Sequence, residues 1–130
     1  MDNYKIYKKK ERIKDFFKYN SLSGSKLNLF QYNVNKYKED EISIHEQFKF
    51  KIFCILRNKG FQTLIEPEFK GNLGRPDIIY WNEDLSICGI FEIVSSESEE
   101  SIKKKTCNYP IDFELNFIYV NKPLEIQLTI

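Results

Sequence analysis

The stretch that most constrains this chain is "DIIYWNEDLSICGIFEIV", residues 77–94. Two apolar runs flank the short polar turn "NEDLS", which predicts an antiparallel hairpin of 77–81 against 87–94. Near-continuous apolar runs belong to strands covered on both faces. Each run nevertheless carries an acid, Asp77 at the head of the first and Glu92 inside the second. Burying an unpaired carboxylate is costly. With the turn at 82–86, Asp77 falls opposite residues 91–92. Cross-strand neighbours lie about 4.5–5.5 Å apart, so the two carboxylates can meet at one end of the hairpin. Two acids that close repel, and one takes up a proton unless a cation sits between them. Mg²⁺ takes carboxylates, carbonyls and waters, so the pair makes physical sense as a hard-metal cradle. The structural alternatives are a turn cap for Asp77 after Pro76 and a salt bridge from Glu92 to Arg75.

A chain of 130 residues with 42% apolar and 15% aromatic residues can build one globular core. No apolar run approaches the ~18 residues of a membrane span. The N-terminus "MDNYKIYKKKERIKDFF" lacks the apolar region of an export signal. Cys54, Cys88 and Cys107 are odd in number, widely spaced and without a CxxC. They read as reduced thiols of an intracellular protein. With a single histidine, His45, a Cys/His zinc site has too few ligands. A lone histidine near an apolar stripe is expected as a packed or hydrogen-bonded residue.

The net charge of +1 conceals a division. Residues 1–38 hold ten Lys/Arg against three Asp/Glu, a net +7, whereas 39–130 hold ten against sixteen, a net −6. A basic arm on an acidic body suits contact with phosphates, although a charge run by itself also describes a solvated helix face.

Residues 4–19 predict a helix with Ile6, Ile13, Phe16 and Phe17 as a partial apolar stripe. "NSLSGS" (20–25) is a loop, and 26–38 read as a weak strand or irregular segment. Ser43 and Glu46 have the S-x-x-E form that opens a helix. Ile44, Phe48, Ile52, Ile55 and Leu56 follow helical spacing, with Phe50 and Phe53 as a second stripe, so this helix is expected to be sandwiched. "RNKG" ends it, with Gly60 just past the last turn. Residues 61–69 read as an edge strand with Pro67. "SSESEESIKKKTCNY" (95–109) has the acid-then-base order that a helix dipole favours, and Pro110 stops it. Residues 113–120 read as a strand and 124–130 as one more. From residue 43 the order is α-β-β-β-α-β. This divides the chain into an N-terminal arm, 1–42, and a core, 43–130.

"PD" at 76–77, an apolar run and an acid in the next strand, in this element order, resemble the PD-(D/E)xK nuclease superfamily. The likeness spans 43–120, with an arrangement closest to archaeal Holliday-junction resolvases and viral nucleases. It implies an α/β fold with a restriction-endonuclease-like core, a mixed central sheet flanked by helices. It implies that Asp77 and Glu92, with the carbonyl of Ile93, hold Mg²⁺ or Mn²⁺, and that Glu46 is the acid from the first helix. Where the family has ExK, this chain has Glu92-Ile93-Val94. Some members take the lysine from the following helix, which here carries Lys103, Lys104 and Lys105. Ile102, Thr106 and Tyr109 are spaced to face the sheet, and Lys105-x-x-x-Tyr109 mirrors a Gln-x-x-x-Tyr arrangement of exonuclease-type members. Lys105 is therefore the expected replacement.

The expected activity is metal-dependent DNA endonuclease, leaving 5′-phosphate and 3′-hydroxyl ends. Lys8, Lys9, Lys10, Arg12, Lys14 and Arg75 would contact DNA phosphates, and a homodimer would cut both strands. The alternative is a catalytically inactive nuclease-fold protein that binds DNA or serves assembly. Glu66 and Glu68 are expected as edge-strand charges, with a place near the metal open to them.

Overall fold

The computed structural model describes residues 2–20, 43–71 and 73–128. The loop expected at 20–25, apart from Asn20, and the segment 26–38 lie outside the described residues. The elements are α1 (Asn3–Asn20), α2 (Ile44–Asn58), β1 (Gln62–Ile65), β2 (Ile78–Trp81), β3 (Cys88–Val94), α3 (Glu99–Thr106), β4 (Glu114–Tyr119) and α4 (Leu124–Gln127). The strands form one four-stranded sheet in the order β1-β2-β3-β4. β1–β2 and β2–β3 pair antiparallel, and β3–β4 pair parallel across the α3 connection. The molecule is thus α/β, a mixed sheet packed against helices.

Every residue of β3 is buried, because both sheet faces are covered. On one face, Phe48, Ile52 and Leu56 of α2 meet Ile78, Tyr80, Phe91, Ile93 and Ile118. On the other, Ile13 of α1 meets Leu64, Ile79, Ile90 and Phe113, with Phe16 and Phe17 packed alongside. Side chains alternate between faces along a strand, which is why neighbours such as Ile78 and Ile79 enter different cores. Fully burying an aliphatic side chain such as Ile52 or Ile90 contributes roughly 1.5–3 kcal/mol. α1 lies on the sheet through Ile13 and an aromatic cluster in which Phe17 and Trp81 have ring centroids 4.7 Å apart.

Local chemistry sets the helix ends. The Glu46 N–H donates to Ser43 Oγ at 3.2 Å, opening α2. At its end the Phe61 N–H reaches the Leu56 carbonyl and the Gly60 N–H the Arg57 carbonyl, both at 3.0 Å, with Gly60 at φ +90°. This is a Schellman closure, and Phe61 and Leu56 share the core below it. Ser98 opens α3 by accepting from the Ser101 N–H at 3.1 Å.

Two expectations change. The strand expected over 61–69 stops at Ile65, because Glu66 adopts φ +50° and turns the chain off the sheet edge. The strand expected over 124–130 is instead a short helix. Its alternating Leu124, Ile126 and Leu128 do not line a sheet face, since Ile126 is 75% exposed. Gln127 decides this. Its Oε1 accepts from the Tyr119 N–H, and its Nε2 donates to the carbonyls of Tyr119, Lys122 and Pro123. One side chain thereby closes the turn after β4.

Candidate active site

β2 begins and β3 ends at the same edge of the hairpin. The register Ile78↔Phe91 puts Asp77 across from Glu92, as the turn length predicts. Both acids are buried. The Asp77 N–H donates to Glu92 Oε1 at 3.2 Å, and Asp77 Oδ2 accepts from the Ile93 N–H at 2.8 Å. The two side chains are thus pinned to each other's strands.

α3 brings a cation from one side of the sheet. Lys105 Nζ lies 2.7 Å from Glu92 Oε2 and 3.8 Å from Asp77 Oδ1. The Tyr109 hydroxyl donates to Glu92 Oε1 at 2.5 Å. Its ring passes so close to the backbone at Gly74 that a Cβ there would stand 2.6 Å from Tyr109 Cε1. Glu92 pairs with Lys105, whereas Arg75 is exposed and sits 3.7 Å from Glu66 Oε2. A cavity of about 30 Å³, with room for a water, opens beside Glu92, Ser101, Lys105 and Thr106. Lys103 and Lys104 are exposed on the last turn of α3.

α2 contributes from the other side. Its first turn sets His45 Nε2 3.1 Å from the Ile93 carbonyl oxygen and 3.6 Å from Asp77 Oδ2. Lys49, one turn later, is buried; its Nζ donates to Glu46 Oε1 at 3.1 Å and to Glu66 Oε1 at 2.5 Å, and lies 3.9 Å from Asp77 Oδ1. The positive φ at Glu66 turns that side chain from the strand edge toward Lys49. Glu46 is therefore separated from Asp77 by an ammonium, although it belongs to the same cluster.

These contacts polarise the group. The carboxylates of Asp77 and Glu46, 3.6 and 3.8 Å from its ring nitrogens, raise His45 to about 9, against its burial. His45 and Lys49 hold Glu46 down at about 2. Burial pushes both strand acids up. For Asp77 the nearby His45 ring, the Ile93 N–H and the lysine charges outweigh burial and hold it below the usual carboxylate range. For Glu92 burial, reinforced by the Asp77 charge, prevails over Lys105 and Tyr109 and leaves it raised. The two neighbouring acids are thus shifted in opposite directions.

Sequence reasoning singled out Asp77, Glu92, Glu46, Lys105 and Arg75, and the structure brings all five to one end of the sheet. It missed Lys49 and gave His45 no role at the site. The available signal for Lys49 was a lysine flanked by Phe48, Phe50, Ile52 and Phe53 on a helix apolar on two sides. Among the described residues, no three Asp, Glu, His or Cys side chains form a ready-made metal cage. Hard oxygen donors are nonetheless present in Asp77, Glu92 and the Ile93 carbonyl, a set suited to Mg²⁺ or Mn²⁺.

The basic residues of α1 lie elsewhere. Arg12 is engaged by Asp112, Nε to Oδ2 at 2.9 Å and Nη2 to Oδ1 at 2.8 Å. Lys14 pairs with Glu11 at 3.4 Å, and Lys8 lies over the Tyr4 ring at 5.5 Å. Burial raises the Cys88 thiol to about 11 against the charge of Lys9. Asp84, held low by its Ser86 hydrogen bonds, also feels Lys10. These neighbours flank the β2–β3 turn and the approach to β4, the sheet end opposite Asp77 and Glu92. A groove of about 500 Å³ runs there between Tyr4, Lys5, Lys8, Lys9 and Arg12 on α1 and Asp112.

No family model, curated protein or solved structure matches this chain.

Proposed function

We propose that the protein is a metal-dependent deoxyribonuclease of restriction-endonuclease-like fold, with its centre at Asp77, Glu92 and Lys105. The observation that carries the reading is the convergence of the two hairpin acids on Lys105, a lysine from the next helix standing where the ExK lysine is missing. Asp77 and Glu92, with the Ile93 carbonyl, would hold Mg²⁺ or Mn²⁺. When bound, such an ion lowers the pKa of a water and offsets charge growing on the scissile phosphate.

The remaining residues orient this group. Tyr109 fixes one oxygen of Glu92 and leaves the other to Lys105. His45 anchors Asp77 and the Ile93 carbonyl from the α2 side. Lys105, on a half-exposed stem, reaches the reacting phosphate or a water that the adjoining cavity can admit. Arg75, at the mouth of the site, and the lysines of α1 on the far side meet backbone phosphates without reading bases.

A second reading, an inactive nuclease-fold protein that binds DNA or serves assembly, is favoured by one observation. Each acid of the site already has a lysine of the chain beside it. Incubation with Mg²⁺ or Mn²⁺ and duplex, single-stranded or four-way-junction DNA separates the two. The nuclease reading expects cleavage that Asp77→Ala abolishes. Cleavage unaffected by Asp77→Ala rejects this site, and DNA binding without cleavage supports the inactive relative.

A further inference from the structure

Lys49 is the one buried lysine or arginine among the described residues, at 2% exposure. Three carboxylates from three places in the fold surround its ammonium: Glu46 on α2, Glu66 after β1 and Asp77 at the head of β2. A core-facing helix position ordinarily takes an apolar side chain, and a charge is tolerated there only when paired. The ammonium is therefore a fixed positive charge 3.9 Å from Asp77 Oδ1, an oxygen of the proposed ion site. We infer that Lys49 is the resident second cation of the site, so that the protein binds one divalent ion, at Asp77 and Glu92, and not two. The inference rests on the metal-dependent reading above and deepens it.

The two lysines of the site differ in the way this division requires. Lys105 is 46% exposed on a flexible four-carbon stem in the last turn of α3. It can swing outward when an ion enters and still reach a phosphate. Lys49 is 2% exposed, and its partners Glu46 and Glu66 hold it from two places in the chain. An ammonium so placed repels a second ion and occupies the oxygen lone pairs that ion would need. Glu46, on this reading, holds Lys49 in position and leaves the ion to Asp77 and Glu92. Lys49 is thus a positioning residue, and its signature is the number of ions bound.

The test counts Mn²⁺ bound by the intact chain, by calorimetry and by the paramagnetic signal of free Mn²⁺. Wild type is expected to bind one ion. Lys49→Ala, purified with Mn²⁺ present, is expected to bind two, because it opens space between Glu46, Glu66 and Asp77 and removes the charge that repels a second ion. Two ions on wild type, or one on Lys49→Ala, overturns the inference and leaves the nuclease reading standing. No ion on wild type rejects the metal site itself and this inference with it. Should Lys49→Ala not fold, Lys49→Met keeps the volume without the charge. It should bind one ion with a Kd lower by about tenfold, and an unchanged Kd overturns the inference.

Discussion

The ammonium of Lys105 stands 2.7 Å from Glu92 Oε2, joining α3 to the turn-distal end of a strand buried along its whole length. The chain thereby supplies its own counter-ion to an acid whose burial pushes its pKa up. A divalent ion entering the site must compete with that lysine.

Competition of this kind separates affinity from turnover. Lys105→Ala should bind Mn²⁺ more tightly than wild type, because a positive charge beside both acids is gone. The same variant should cleave DNA more slowly, by roughly 10²–10³-fold if Lys105 stabilises the reacting phosphate. Titration calorimetry and a cleavage assay on one preparation check both halves. Weaker Mn²⁺ binding by Lys105→Ala would show that the lysine organises the acids instead of competing for them.

Gly74 and Gly71 provide a matched pair. Both have positive φ, +96° and +70°, but only at Gly74 would a Cβ meet anything, the Tyr109 ring. Gly71→Ala should cost about 1–2 kcal/mol from backbone conformation alone. Gly74→Ala should cost about 1–3 kcal/mol more, by overpacking against Tyr109. Urea unfolding measures each. Combining Gly74→Ala with Tyr109→Ala should cost less than the two single changes together, and strict additivity would refute the contact.

The His45 cluster predicts a pH dependence of the metal-free protein. His45 is raised from 6.5 to about 9 by Asp77 and Glu46, so its contribution is full below pH 6.5 and is lost as pH climbs to about 9. Glu46 is lowered from 4.5 to about 2, so its contribution is full above pH 4.5 and is lost as pH falls to about 2. Both are intact between pH 4.5 and 6.5. Urea midpoints at pH 6.5 and pH 9 should differ more for wild type than for His45→Gln. An equal drop in the two proteins would detach His45 from the effect.

The α1 groove predicts a division among its basic residues. Arg12 is already held by Asp112, so Arg12→Ala should leave the salt dependence of DNA binding nearly unchanged. Lys8→Ala and Lys9→Ala should each flatten the slope of log K against log salt by up to about 0.9, the value for one phosphate contact. Fluorescence anisotropy over a salt series decides. If neither lysine changes the slope, DNA does not touch this groove.

Much of the frame was readable in the order of residues. "NEDLS" between two apolar runs set the hairpin and its register, because a short turn leaves few ways to pair two strands. Ser43 and Ser98 marked two helix starts, since a hydroxyl there satisfies a free backbone N–H. The alternation of 124–128 misled, because the hydrogen bonds of Gln127 to the end of β4 outweigh a weak periodic pattern in so short a segment.

Asp77, Glu92 and the helices on either side of them were thus determined by local pattern, through turn length, capping and apolar spacing. Which cations meet those acids was decided only in three dimensions. Lys49 has Glu66 as a partner because the chain turns at positive φ after β1, and Lys105 has Glu92 because α3 packs across the end of β3. Such pairings join residues far apart in the chain, and no propensity of a single segment encodes where another segment's charge will come to rest.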